Sequence, residues 1–507
     1  MQRYRFPPIL KSKSSFSFSC IMQMIVRRLI PSAVELNLRS FTPVFFRFTY
    51  IIMLYRAKKE YFCGQNFGIV MNRFIIIAIL VWWSWNGQAA TVEESSKEDS
   101  TAWREVFTDP QLVGLIETAL AHNADLRTAN LKVEQAEAQL RAARLSLLPS
   151  LTIGAEGQLS KTKGQPTAKT YNVPLTMQWE VDLAGRLRGE KRSAVARYWS
   201  TAETERAVRL QLIAAVATHY YTLVMMDRQL AVTQENAENA RRTMEVMEAM
   251  KEVGMQNEAA VSQAKAAWLS ASAQEKSLAQ QIKATENALT VLLGKKQERI
   301  ERTASDNAQL ALVPAASYPL NVLANRPDVK AAEYALKAQT AQVDVARAAF
   351  YPQLSITASA GWTNNVGEVV NPGQMLLSAI GSLVQPLFNK GQNRANLRIA
   401  KAQQEQALLA FNQSLLVAGA ELSDALTTCQ LSQERLQLRT EEVAVAQRAY
   451  EVSQVLMQNS SNTYLEVLTA QSALLQSRLS QATDMFDYIQ GQINLFKALG
   501  GESKKLN

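Results

Sequence analysis

Residues 171–183, YNVPLTMQWEVDL, alternate between apolar and polar side chains without a break. Tyr171, Val173, Leu175, Met177, Trp179, Val181 and Leu183 take one set of positions; Asn172, Pro174, Thr176, Gln178, Glu180 and Asp182 take the other. Successive side chains of an extended chain point to opposite faces, so the run predicts a strand with one apolar face. Its other face carries amide, hydroxyl and carboxylate groups, which suit contact with water more than covalent chemistry. The common reactive constellations are missing: there is no P-loop, HExxH, GxSxG or CxxC. His122 and His219 are the only histidines and lie far apart, so each reads as a polar contact or packing residue. Tyr220, Tyr221 and the series Met244, Met247, Met250 fall at helical spacing and read as packing. No catalytic, cofactor-binding or metal-ligating residue is assigned, and an enzyme is not expected.

The elements that hold this strand form a repeated unit. The run LRAARLSLLPSLTIGA (140–155) returns as VDVARAAFYPQLSITASA (343–360), with Arg144/Arg347, Pro149/Pro352, Leu151/Leu354 and Ile153/Ile356 each 203 residues apart. Two copies of one helix–hairpin–helix unit point to assembly. Pro149 and Pro352 mark the helix-to-strand junctions, because proline ends a helix and suits the first residue of a strand. The first repeat, 91–300, is expected to hold a helix over 109–148, a β-hairpin over 150–183 with strands 150–160 and 171–183, and a helical hairpin over 185–293. Residues 301–326 form a Pro-containing linker. The second repeat, 327–501, is expected to hold a helix over 327–350, a β-hairpin over 353–388 with strands 353–363 and about 375–388, and a helical hairpin over 392–499; 502–507 is a tail. After the hairpins the offset is 206, as in Gly185/Gly391 and Gly294/Gly500. The longest helices would run about 100 Å at 1.5 Å per residue. Such lengths imply coiled-coil packing, with Val445, Ala449, Val452 and Leu456 as one stripe and Val261, Ala264, Trp268 and Ala271 as another.

The net charge of +9 does not indicate nucleic acid. Residues 1–73 alone carry +10, which leaves the other 434 residues at −1, with no basic footprint. Residues 71–90, MNRFIIIAILVWWSWNGQAA, read as a secretory signal peptide, with Arg73 as the positive region, a ten-residue apolar run and cleavage after Ala89 or Ala90. Met71 is then the expected start, and 1–70 a misassigned N-terminal extension. Cys20 and Cys63 fall in that extension, so Cys429 alone remains and no disulfide framework is expected.

Four strands per chain cannot close a barrel, whose smallest membrane examples have about eight. If the apolar face of 171–183 meets lipid, every backbone polar group must be paired and no edge left open. Several chains must then share one barrel, and three chains would give twelve strands. Asn172, Thr176, Gln178, Glu180 and Asp182 would line its water-filled lumen. The alternative from another class is a soluble periplasmic coiled-coil scaffold with its strands packed on the helices.

Further stretches carry a family resemblance over about 103–501. NRPDVKAAEYAL (325–336), DPQLVGLIETALAHNADLRTANLKVEQAEAQLRAARLSLLPSL (109–151), QPLFNKGQNRANL (385–397), YLEVLTAQSALL (464–475) and NLFKALGG (494–501) are similar to segments of the TolC/OprM-like outer-membrane factors, in the branch serving RND-type pumps. The resemblance implies a mainly α protein with membrane β structure. It further implies a homotrimer whose twelve-stranded barrel in outer-membrane lipid continues as a long periplasmic α-helical barrel. The expected function is a passive exit duct for small molecules, meeting a periplasmic adaptor and an inner-membrane pump; a type I protein-secretion duct is the alternative. No cofactor and no nucleic acid are implied. The family's lipidated cysteine has no counterpart, since 64–428 holds no Cys. The family's periplasmic gate maps to Leu465, Glu466, Thr469 and Ser472, with Thr469 and Ser472 standing where Asp and Arg are usual. The adaptor-contacting tips map to Val253, Gly254, Met255 and to Asn459, Ser460, Ser461.

Overall fold

The computed structural model describes residues 102–164, 167–296, 299–302, 310, 318, 321–364, 374–458 and 464–501. All belong to one compact unit, Ser95–Asn507. The expected extension, signal peptide, tail and second tip lie outside the described residues, as does most of the linker.

The described residues open with α1 (Ala102–Val106), α2 (Pro110–His122) and α3 (Ala124–Leu145). The single helix expected over 109–148 is therefore two. Asn123 divides them: its backbone is extended, and its side-chain oxygen accepts from the Leu126 amide, capping α3. Asp109 caps α2 in the same way, with Pro110 in the first turn, where its missing N–H costs nothing. Next come β1 (Ser150–Ile153), β2 (Glu156–Ser160), β3 (Ala168–Val181), α4 (Arg186–Glu252) and α5 (Glu258–Leu292). A short α6 (Asn321–Asn325) leads into the second copy: α7 (Pro327–Ala348), β4 (Gln353–Asn364), β5 (Gln374–Val384), α8 (Gln392–Gln458) and α9 (Tyr464–Ala498).

Three pairs of helices match in length between the copies. α3 and α7 have 22 residues each, α4 and α8 have 67, and α5 and α9 have 35. Helices end alike as well. Gly254, Gly294 and Gly500 adopt left-handed φ of 75°, 64° and 75°. At each, paired 5→2 and 6→1 backbone bonds close the last turn, as Met255 N to Met250 O does at 2.8 Å. α3 and α7 stop three residues short of their prolines. Pro149 and Pro352 each immediately precede the first strand residue.

The strands form one antiparallel sheet in the order β1–β3–β4–β5, with β2 pairing β3 beyond β1. β1 and β2 share one register, Ile153 facing Leu175 and Glu156 facing Asn172, so they are halves of the strand expected over 150–160. β5 ends at Val384 rather than near 388.

The main core joins α1, α2, α4, α5, α8 and α9. Phe107 meets Phe496 edge-on at 5.4 Å, and the buried Tyr220 hydroxyl donates to Asp109 at 2.6 Å. A smaller core of Met247, Val261 and Ala264, flanked by Met244, Met250 and Met457, lies toward the α4–α5 turn. Within this chain the stripe Val261, Ala264 and Ala271 is buried, whereas Val445 and Val452 are 70% and 48% exposed.

Candidate functional site

Cross-strand partners lie on the same face of a sheet, so the register sorts the side chains. One face carries Leu151 and Ile153, then Leu175, Met177 and Trp179, then Leu354, Ile356 and Ala358, then Leu377 and Leu383. The other carries Ser150 and Thr152, Thr176 and Gln178, Ser355 and Thr357, Ser378 and Ser382. An apolar surface thus backs a hydroxyl- and amide-rich one across β1, β3, β4 and β5, with Ile380 interrupting the polar side. Leu151, Ile153, Leu377 and Leu383 are each more than half exposed within the chain. Neither β1–β2 nor β5 has a further strand on its outer side among the described residues.

Asn172, Thr176 and Gln178 fall on this polar face, whereas Glu180 and Asp182 are tied to the start of α4. Glu180 takes two bonds of 2.7 Å from Arg186. Asp182 lies past the end of β3 and accepts from the backbone amides of Leu187 and Arg188 and from the Arg188 guanidinium. It caps the first turn of α4, where Gly185, at φ 79°, offers no side chain. The two carboxylates lock strand to helix, a role hidden by their place in the alternation.

The gate candidates lie together on one side of α9. Leu465, Glu466, Thr469 and Ser472 are all exposed, opposite the buried Val467 and Leu474. The Thr469 hydroxyl donates back to the Leu465 carbonyl at 2.8 Å. At the first tip, Val253 and Met255 are 70% and 69% exposed around Gly254. Lys251 pairs with Glu258 across this turn, and Asn257 caps α5. Asn459, Ser460 and Ser461 lie outside the described residues.

The arginine of NRPDV has a task that its sequence context does not reveal. Arg326 is buried and caps no amide with its own side chain; it reaches three ways. It bonds Asp328 at 2.8 Å, Glu421 of α8 at 2.6 Å and the Ala498 carbonyl of α9 at 3.4 Å. Its counterpart 203 residues earlier is Asn123, whose amide donates to the Leu292 carbonyl of α5 at 3.0 Å. Each copy therefore latches the start of its first long helix to the end of its last. A further cluster ties Arg302 to the half-buried Asp227 at 2.6 Å and to the buried Glu286 at 2.8 Å.

Nothing here resembles a reaction centre. Among the described residues no group of three His, Cys, Asp or Glu side chains could hold a metal. His122 bonds the Thr118 carbonyl, burial lowers the pKa of His219, and burial pushes the Cys429 thiol up to about 11. No described helix is long and apolar enough to cross a membrane.

A family model described as outer membrane efflux protein matches residues 115–295 and 319–501, the two copies in turn. The chain belongs to this family. It is 32% identical over 431 residues to the solvent efflux pump outer membrane protein SrpC of Pseudomonas putida, covering 82% of this chain and 91% of that protein. It is 30% identical over 419 residues to the cation efflux system protein CusC of Escherichia coli K12, covering 82% and 92%. Among solved structures, CusC aligns with a TM-score of 0.75 at 29% identity, over 79% of this chain and 94% of that one. The open-state MtrE outer membrane channel of Neisseria gonorrhoeae aligns with a TM-score of 0.73 at 26% identity, over 80% and 92%. This outer membrane efflux protein is thus a channel and not an enzyme, with its strands in the outer membrane and its long helices in the periplasm.

Proposed function

We propose that three copies of the chain form one passive exit duct for small molecules, fed by an inner-membrane RND-type pump through a periplasmic adaptor. The two-faced sheet carries this reading. A four-stranded sheet with an apolar face and unfilled edges cannot stand in lipid, where each unpaired backbone group costs several kcal/mol. Joining β5 of one copy to β1–β2 of the next pairs those edges and closes twelve strands around the Ser, Thr and Gln face. The exposed Val445 and Val452 on α8 supply a matching seam for a neighbour's helices. The names of the relatives, a solvent efflux pump protein and a cation efflux system protein, support the pump partnership. The exposed turn at Val253, Gly254 and Met255, with residues 459–461, is the adaptor contact, and the exposed side of α9 at Leu465, Glu466, Thr469 and Ser472 forms the constriction.

Cysteines at Thr152 of β1 and Ser382 of β5, in a Cys429→Ser background, test the assembly. Oxidation in outer-membrane extracts should yield a species of three times the chain mass. Monomers alone, or a ladder without end at three, would reject the trimer.

A further inference from the structure

The two strand-to-helix junctions are copies of one another, yet they differ in charge. In the first, Arg186 is matched by Glu180 and Glu190, Arg188 by Asp182 and Arg192 by Asp344. At an offset of 206, Arg188 and Arg192 return as Arg394 and Arg398. Glu180, Asp182 and Glu190 return as Pro386, Phe388 and Asn396, so all three carboxylates are gone. Lys390 and Lys401 replace Ala184 and Val195, and no acidic residue occurs between Glu368 and Glu405. Lys390, Arg394, Arg398 and Lys401 are exposed, and none has an ion-pair partner among the described residues.

Geometry gathers these cations. Arg394, Arg398 and Lys401 stand at i, i+4 and i+7 on one side of α8. Lys390 and Gly391 form a left-handed turn, with φ of 46° and 81°, that brings the chain from β5 into α8. The Asn393 amide fixes this turn by donating to the Ala349 carbonyl at 3.0 Å. Just before it, Leu387 and Phe388 are 92% and 87% exposed. The junction stands where the membrane sheet meets the periplasmic helices, so apolar side chains border the acyl region and free cations lie beside the headgroups.

We propose that residues 387–401 form a binding site for anionic phospholipids of the periplasmic leaflet. Leu387 and Phe388 pack against the acyl chains, while Arg394, Arg398, Lys390 and Lys401 hold the phosphate. A second copy of the chain is the competing occupant, and the duplication argues against it. Asp344, which meets Arg192, corresponds to Arg141 at an offset of 203. A neighbouring copy would therefore bring Arg141 toward Arg398, with its own Glu137 already paired to it at 2.6 Å, and so no unpaired carboxylate for the junction. That step rests on the trimeric reading; the loss of the carboxylates does not.

Native mass spectrometry of the full chain in neutral detergent tests the site, with phosphatidylglycerol or phosphatidylcholine as the added lipid. Phosphatidylglycerol should be retained over phosphatidylcholine, and less so at high salt. Arg394→Gln with Arg398→Gln should weaken that retention by about thirtyfold, each cation near an anionic surface contributing about fivefold. Arg394→Lys with Arg398→Lys should keep most of it. Equal retention of the two lipids, an unchanged glutamine variant, or displacement by millimolar inorganic phosphate would overturn the proposal. So would a glutamine variant that loses its oligomer but keeps phosphatidylglycerol on each chain. A wild-type chain that is not trimeric but still selects phosphatidylglycerol would reject the trimer and leave the site standing.

Discussion

Pro174 occupies the middle of β3, a strand with neighbours on both sides, where a missing N–H is costly. The structure shows how it is tolerated. On one side Gly154 donates to the Pro174 carbonyl at 2.9 Å, but Pro174 has no N–H to return the bond. The ladder lapses there, which is why one extended strand divides into β1 and β2. On the other side Pro174 faces Gly361. A Cβ at position 361 would lie 2.5 Å from the Val173 carbonyl oxygen and 2.8 Å from the Pro174 Cα. Both obstacles are backbone and cannot swing away. Gly361→Ala should therefore cost about 1–3 kcal/mol through overpacking. Heat-modifiable mobility of outer-membrane extracts should show less folded barrel than wild type; an equal fraction would contradict the register of β3 on β4. The alternation of 171–183 was legible in the sequence because side-chain period needs no partner. The role of Gly361 was not, because it depends on a residue nearly two hundred positions away.

At the scale of elements, the latch at Arg326 decides whether the copies hold their helices together. Its guanidinium is 4% exposed, while Asp328 and Glu421 are 44% and 40% exposed. Arg326→Ala would leave those carboxylates to water and the Ala498 carbonyl with one partner fewer. A loss of about 1–3 kcal/mol is expected, the range for charge-assisted bonds with partners that can rehydrate. Thermal unfolding in detergent should show the lower midpoint, and an unchanged one would deny the latch. Its pH response has a definite sign. Burial alone would raise the Asp328 carboxyl, but the bond and charge of Arg326 and the Val329 amide hold it below 3.8. A depressed carboxylate pKa stabilises above the unfolded value and is lost as pH falls through the folded one. The wild-type midpoint should thus fall more steeply than that of Asp328→Asn below pH 3.8. Long helices and their glycine stops were legible, since composition and left-handed C′ positions are local properties. The break at Asn123 was not. An Asn inside an Ala-rich run reads as helix until its side chain is seen capping α3 and reaching Leu292. The limits of β5 were also hard to read, because Ile380 faces Thr357 on the polar side and spoils the alternation.

For the whole molecule, the duplication is what makes a duct from so few strands. The need for closure is legible in the sequence, from strand count and the intolerance of lipid for open edges. Control of flow is a separate matter, since a passive channel regulates by narrowing. In the proposed constriction the exposed side of α9 does this: Leu465 is 63% exposed, with Glu466 beside it and Thr469 and Ser472 continuing the line. Three copies of Leu465 around an axis would make an apolar ring, and apolar constrictions impede ions by dewetting. The Thr469 hydroxyl is already engaged with the Leu465 carbonyl, so it adds little charge to the ring. Leu465→Ala should then raise single-channel conductance in planar bilayers several-fold, while Glu466→Gln should leave conductance near wild type and reduce cation preference. If Glu466→Gln alone opens the channel, carboxylate repulsion or bonding, rather than the leucine, sets the constriction. If neither variant changes conductance, the narrowing lies elsewhere along the helices. The three results are separable because the leucine acts on water and the glutamate on charge.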